Sequence, residues 1–411
     1  MPLRSIFALL TVALLTLIGN AIRLRRSRIP IPEGLSYLAE TGVFYLIMGG
    51  ILGSRFGGVL EPTVQDQLGP AIVLGLGWVG FLFGVQFGAK RLALFPASWW
   101  LVGQLHSILC IAAAFSLLNV VAPEIYRAYS AWLPYINLLD EGQTPCIVLA
   151  AACGGTSHST VLLVQRLWTG ERTRHVLQFM AEYDDLPGLF ILAWVFADLN
   201  AREHPFQYLD STVNWMCLTA ILGLALGYLL KSSLHGIEEE HEIGIAMLSV
   251  LALAGGLAAY LHLPVVVVTT VAGAAYANRS RRSDEVHRRL ALRVHLAYLL
   301  FLLLIGAKLE LHALERIWPL ALLVVIVRGV TKVFGFRLLA RFLSNSGSLA
   351  EWSGLGLLGQ GGMSLSMVVV YTRLNPSPAS DEILALMSLS ILMNGLIAFP
   401  LMSRLGKGGG S

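Results

Sequence analysis

Two adjacent carboxylates, Asp184 and Asp185, stand between the apolar runs Val176–Met180 and Leu186–Phe196. A carboxylate at the centre of a bilayer costs roughly 2.5–3.5 kcal/mol on insertion scales, and two neighbours also repel. Such a pair persists where a cation or protons neutralise it, and a carboxylate that trades a proton for a metal ion supplies exchange chemistry. Hard cations such as Na+ take oxygen ligands. Hydroxyls that complete a shell are on hand in Cys153-Gly154-Gly155-Thr156-Ser157-His158-Ser159-Thr160, with Thr156 and Ser157 the first candidates. Pro187 follows the pair, removes one helix hydrogen bond and frees the carbonyl of Tyr183. Glu182 lies three residues before Asp185 and shares its helix face, as a third site carboxylate or as the partner of an arginine.

Opposite charges occur in a second apolar run, where Arg328 and Lys332 are spaced i,i+4 on one face. Their most economical partners are the two aspartates. A lysine so placed competes with a transported ion for the carboxylate and gives up its proton when the ion binds. The alternative is a permanent structural pair, for Arg328 above all. His106 and His158 also fall within spans and read as hydrogen-bonded packing residues. Cys110, Cys146, Cys153 and Cys217 lie in or beside apolar segments without metal-like spacing, as small buried residues do. No His-Asp or Ser-His constellation stands at catalytic spacing, so an enzyme is not expected and no cofactor beyond the transported ions is implied.

The elements that must position these residues are membrane spans. The 411-residue chain is 56% hydrophobic and only 13% charged, with a mean hydropathy of +0.70. A soluble domain carries roughly a quarter charged residues. The modest net charge of +4 is scattered over short loops, which excludes a nucleic-acid face. Apolar runs predict about thirteen helices, near 3–22, 35–53, 69–89, 98–121, 143–165, 175–198, 212–230, 243–260, 264–278, 291–307, 317–340, 349–371 and 382–402. The first lacks a preceding basic region and is expected to be a retained span, not a leader. Gly406-Lys407-Gly408-Gly409-Gly410-Ser411 reads as a flexible tail or scar, leaving residues 1–402 as one membrane domain. Alternate loops hold nineteen Lys and Arg against seven, which predicts a multi-pass protein of the cell (inner) membrane with its N-terminus outside and its C-terminus cytoplasmic.

With the helix near 212–230 as a linker, residues about 1–198 and 243–402 have the parity of an inverted repeat. The fifth helix of each half is rich in glycine and hydroxyls. One carries Gly155, Thr156, Ser157 and Ser159; the other carries Gly359, Gln360, Gly361, Gly362 and Ser364. Such stretches at matching places predict broken helices lining a midplane site, with close packing through small residues as the alternative.

At these residues the sequence resembles the cation:proton antiporter superfamily, in particular the Kef-like and NapA-like bacterial sodium– or potassium–proton exchangers. AEYDDLPGLFILAWV resembles that family's ion-binding helix, and IVRGVTKVFGFRLLARF its lysine-bearing helix, with the lysine at Lys332. FLLLIGAKLELHAL, GLGLLGQGGMSLSMVVVY and GGTSHSTVLLVQRL are similar to its flanking and crossover segments. Met363 stands where many relatives have an acidic residue. The resemblance implies an all-α polytopic fold of the NhaA/NapA kind with two crossing broken helices, a homodimer, and a core that moves like an elevator against a scaffold. It implies exchange of protons for Na+ or K+, with Asp185 as principal ligand and Asp184 pairing with Lys332. A different class on the same fold is an ion channel or gated effector controlled by a soluble regulatory partner.

Overall fold

In the computed structural model the described residues are 42–53, 62–129, 134–140, 142–157, 171–203, 210–235, 239–280, 299–309, 311–343 and 352–406. Among them the chain is all-helical, with no β-strand. Hydrocarbon offers no water to satisfy peptide groups, so a sequence this apolar must satisfy them within each segment, and the helix does so. Among the described residues five helices are long and apolar enough to cross a membrane: Ala97–Ala128, Thr212–Ser233, His241–Tyr260, His312–Ala340 and Pro378–Ala398. Shorter apolar helices join them. Their outward faces are apolar too, with Leu105, Ile108, Ile221, Leu224, Ile245, Ile326 and Leu396 exposed, as a lipid-facing surface requires. The chain is a multi-pass membrane protein. The expected first span, 3–22, lies outside the described residues.

In chain order the main elements are α1 (Val43–Leu52), α2 (Gly69–Val85), α3 (Ala97–Ser116), α4 (Gln143–Cys153), α5 (Glu171–Tyr183), α6 (Leu186–Glu203), α7 (Thr212–Ser233), α8 (Glu240–Tyr260), α9 (Val265–Arg279), α10 (299–307), α11 (Leu311–Val330), α12 (Gly362–Leu374) and α13 (Pro378–Gly406). They form two bundles. In the first, α2 packs along α9 and α9 along α7, while α1 meets α10. Helices in lipid gain little from the hydrophobic effect and associate by close packing of small residues. A Cβ on Gly84 would strike the carbonyl of Thr270, one on Gly273 the carbonyl of Phe81, and one on Gly49 that of Leu303. The Thr270 hydroxyl closes the α2–α9 seam by donating to the Gly80 carbonyl at 3.1 Å.

The second bundle gathers α3, α4, α5, α6, α11, α12 and α13, and the buried charged residues Glu182, Asp184, Asp185, Arg328, Lys332 and Glu382 lie on its segments. Helix α3 is longer than its apolar run predicts, because a π-helical turn at Leu117–Val121 carries it into Ala122–Ala128. A second π-helical turn, Thr331–Gly335, follows α11. Helices α6 and α7 join the bundles.

Candidate cation site

Asp184 and Asp185 occupy the turn between α5 and α6. The Asp184 N–H still donates to Met180 O at 2.9 Å, and the Leu189 N–H to Asp185 O at 3.0 Å, so the axis is bent and not severed. Pro187 has no N–H for the Tyr183 carbonyl, and the side chain of Gln104 takes that carbonyl at 3.2 Å. The Ser107 hydroxyl donates to the Asp184 carbonyl at 2.6 Å.

The two carboxylates face different surroundings. Asp184 is fully enclosed: the Thr156 N–H donates to Oδ1 at 2.9 Å, and the Thr156 hydroxyl to Oδ2 at 2.6 Å. Lys332 Nζ reaches the same Oδ2 at 2.8 Å, with both side chains 0% exposed. Asp185 is 6% exposed, and its buried Oδ1 has no hydrogen-bond partner among the described residues. That oxygen lies against Gly155, where any Cβ would collide with the carboxylate. One aspartate is therefore saturated and the other holds a lone pair in reserve. A buried oxygen without a donor is costly unless something occupies it.

Lys332 sits in the π-helical turn, a local geometry frequent at functional sites. Besides Asp184 it donates to Gly154 O at 2.5 Å and to Thr156 Oγ1 at 3.1 Å. Arg328 departs from expectation: it pairs with carbonyls, not with an aspartate. Its Nε donates to Cys153 O at 3.1 Å, Nη2 to Gly155 O at 2.6 Å, and Nη1 to Leu358 O at 2.6 Å. The physical reason is local. Helix α4 ends at Cys153, and the 3₁₀ turn Ser353–Leu357 ends beside it. Both ends expose carbonyls that carry a partial negative charge, and a fixed guanidinium fork satisfies several at once.

The two interruptions touch back to back. Beyond α4 the chain is non-helical over residues 154–157, and before α12 it is non-helical over 358–361. The Ser157 N–H donates to Gly359 O at 3.0 Å. A Cβ on Gly361 would come within 2.8 Å of Ser157 Cα, so only glycine allows this approach. Gln360 faces α13, where its Oε1 accepts from Ser390 Oγ at 2.9 Å and Asn394 Nδ2 at 3.2 Å. Its Nε2 turns to Ala152 O at 3.4 Å. The Ser364 hydroxyl is buried without a hydrogen-bond partner. His158 and Ser159 lie outside the described residues. Glu182 pairs with Arg91 at 2.9 Å and also accepts from Gln178 at 3.0 Å, which removes it from the carboxylate pair.

Sequence reasoning missed Gln104, Ser107, Ser390 and Asn394. Their signal was only a polar residue in an apolar run, and nothing in the spacing says which carbonyl or amide it will meet.

The groups gathered here hold and repel charge inside a bilayer, and together with the fold they define an ion transporter, not an enzyme. The chain belongs to the sodium/hydrogen exchanger family: residues 10–404 match the family described as "Sodium/hydrogen exchanger, transmembrane". Its fold is similar to that of the sodium proton antiporter MjNhaP1 from Methanocaldococcus jannaschii, solved at pH 8, with a TM-score of 0.67 at 14% identity over 98% of this chain and 99% of that one. A search of curated proteins finds no match.

Proposed function

We propose that the protein exchanges protons for a monovalent cation, Na+ or K+, at Asp185. The observation that carries this reading is the buried Oδ1 of Asp185, without a hydrogen-bond partner among the described residues, beside an Asp184 already held by Thr156 and Lys332. A proton on Asp185 satisfies that oxygen in one half of the cycle, and a partly dehydrated cation satisfies it in the other. Oxygens of the 154–157 strand, those of Thr156 and Ser157 included, complete the shell. Because one group cannot carry both ligands, uptake of one releases the other, and the exchange is coupled without a separate gate. Asp184 and Lys332 stabilise the core when the cation is absent, and a cation bound beside them repels the ammonium. Two carboxylates with one lysine are in keeping with electrogenic exchange.

The same reading assigns the two halves, about 1–198 and 243–402, as inverted repeats of one transport domain. The bundle holding the site moves like an elevator against the glycine-seamed bundle, which also forms a homodimer. The N-terminus is outside and the C-terminus cytoplasmic, where a soluble regulatory partner has access. Na+, K+ and H+ are cargo, and no resident cofactor is required.

The test is purified protein in liposomes holding a pH-sensitive dye, challenged with Na+, K+ and Li+. Cation-driven alkalinisation or acidification that disappears in Asp185→Asn is expected. No cation-driven pH change in the wild type, or unchanged exchange in Asp185→Asn, overturns the reading; unitary currents would replace exchange by conduction.

A further inference from the structure

Helix α3 sends polar side chains to the two turns that carry charged residues and to the end of α4. Gln104 Nε2 donates to Tyr183 O at 3.2 Å and Ser107 Oγ to Asp184 O at 2.6 Å. His106 Nε2 bonds Lys332 O in the π-helical turn at 3.1 Å, and Cys110 Sγ donates to Cys153 O at 3.3 Å where α4 ends. His106, Ser107 and Cys110 are all 0% exposed. Each of these carbonyls is accessible because the helical ladder is interrupted beside it. A single helix thus sets the mutual distances of the aspartate turn, the lysine turn and the end of α4.

We propose that Ser107 and Gln104 are positioning residues of the cation site, an assignment that rests on the exchange reading above. Together they hold the carbonyls of the two residues that precede Asp185. A regular helix would give the Asp184 carbonyl to the N–H of Gly188, four residues on, and each residue so regularised turns the following side chain by about 100°. The Ser107 hydroxyl competes for that carbonyl and keeps the turn open. The open turn is what directs Asp184 towards Thr156 and Lys332 while Asp185 faces Gly155. Gln104 acts differently at Tyr183: Pro187 offers that carbonyl no N–H, and the Gln104 amide supplies the donor that holds it in place. Neither side chain touches the carboxylates' oxygens, so the effect is on where Asp185 points, and hence on how well it binds a cation relative to a proton.

The experiment is Ser107→Ala, Ser107→Cys and Gln104→Leu in the full chain, reconstituted and assayed for exchange across a pH series. Cation binding is read in parallel as the rise in thermal unfolding temperature on adding Na+, K+ or Li+. Loss of one such hydrogen bond raises the half-saturating cation concentration about fivefold and moves the pH profile, while maximal rate stays near wild type; the ion-free unfolding temperature holds in Ser107→Ala, where the Gly188 N–H can take the freed carbonyl, and falls in Gln104→Leu, where Pro187 offers none. The thiol of Ser107→Cys, a weaker donor of similar size, falls between serine and alanine. Wild-type half-saturation and pH profile in both Ser107→Ala and Gln104→Leu overturn the proposal. So does a parallel fall in maximal rate and ion-free stability, which would mark a purely structural contact. If Ser107→Ala does not fold, Gln104→Leu decides alone. If the wild type exchanges nothing, the function proposed above fails, and the cation-dependent thermal shift still decides whether these side chains tune a binding site.

Discussion

At the scale of the residue, the candidate site sets two identical side chains one position apart in unequal surroundings. Asp184 takes three donors from Thr156 and Lys332, and Asp185 Oδ1 has none among the described residues. The presence of the pair was legible because buried carboxylates are expensive, and their division of labour was expected only by resemblance. Spacing cannot supply that division: adjacent residues on a bent helix point about 100° apart, and what each then meets belongs to other elements. Lys332 follows the same logic. Its ammonium makes three contacts in a site with no exposure, so Lys332→Gln keeps some hydrogen bonding and removes the charge. Exchange by Lys332→Gln is expected to lose its dependence on membrane potential while cation binding falls by less than tenfold. Proteoliposomes clamped at defined potentials with a potassium diffusion gradient measure the first, and the cation-dependent thermal shift measures the second.

At the scale of the element, a buried arginine gathers the end of α4 and the turn before α12. Glycine-rich, hydroxyl-bearing segments marked both places, and the structure sets the non-helical residues 154–157 against 358–361 with Ser157 on Gly359. The partner of Arg328 was not legible. An i,i+4 spacing with Lys332 puts both residues on one helix face, but it cannot say that this face meets two helix ends before it meets a carboxylate. A buried carbonyl left without a donor costs about 1–3 kcal/mol, and Arg328 serves those of Cys153, Gly155 and Leu358. Arg328→Ala is therefore expected to lower the unfolding temperature in detergent more than Lys332→Gln does. Arg328→Lys should recover only part of the loss, because a point charge cannot reproduce the fork. Equal stability of Arg328→Ala and wild type in a thermal melt would contradict this account.

At the scale of the molecule, the chain divides its work between a bundle seamed by glycines and a bundle that carries charge. The connector between them, around Ala89–Leu92, is tied to both. The Ala89 N–H donates to Asn278 Oδ1 on α9 at 2.8 Å, and Arg91 reaches Glu182 on α5 at 2.9 Å. The α2–α9 seam allows no side chain at Gly84. Gly84→Val is expected to separate these helices and reduce the yield of folded protein, measured by size-exclusion chromatography of the membrane extract. Protein that still folds should keep wild-type half-saturation for the cation, since the site lies in the other bundle.

Composition and apolar run lengths by themselves determined a multi-pass helical membrane protein, because in lipid the solvent dictates both the length and the internal hydrogen bonding of each span. They also determined which charges were anomalous, since a buried charge is costly wherever it points. Tertiary structure alone decided what those charges meet: Lys332 on Asp184, Arg328 on two helix ends, Glu182 on Arg91, and α3 on the carbonyls of the interrupted helices. The reason is that sequence periodicity fixes the direction of a side chain relative to its own helix axis, whereas pairing depends on the neighbouring helix and on where its ladder of hydrogen bonds is broken.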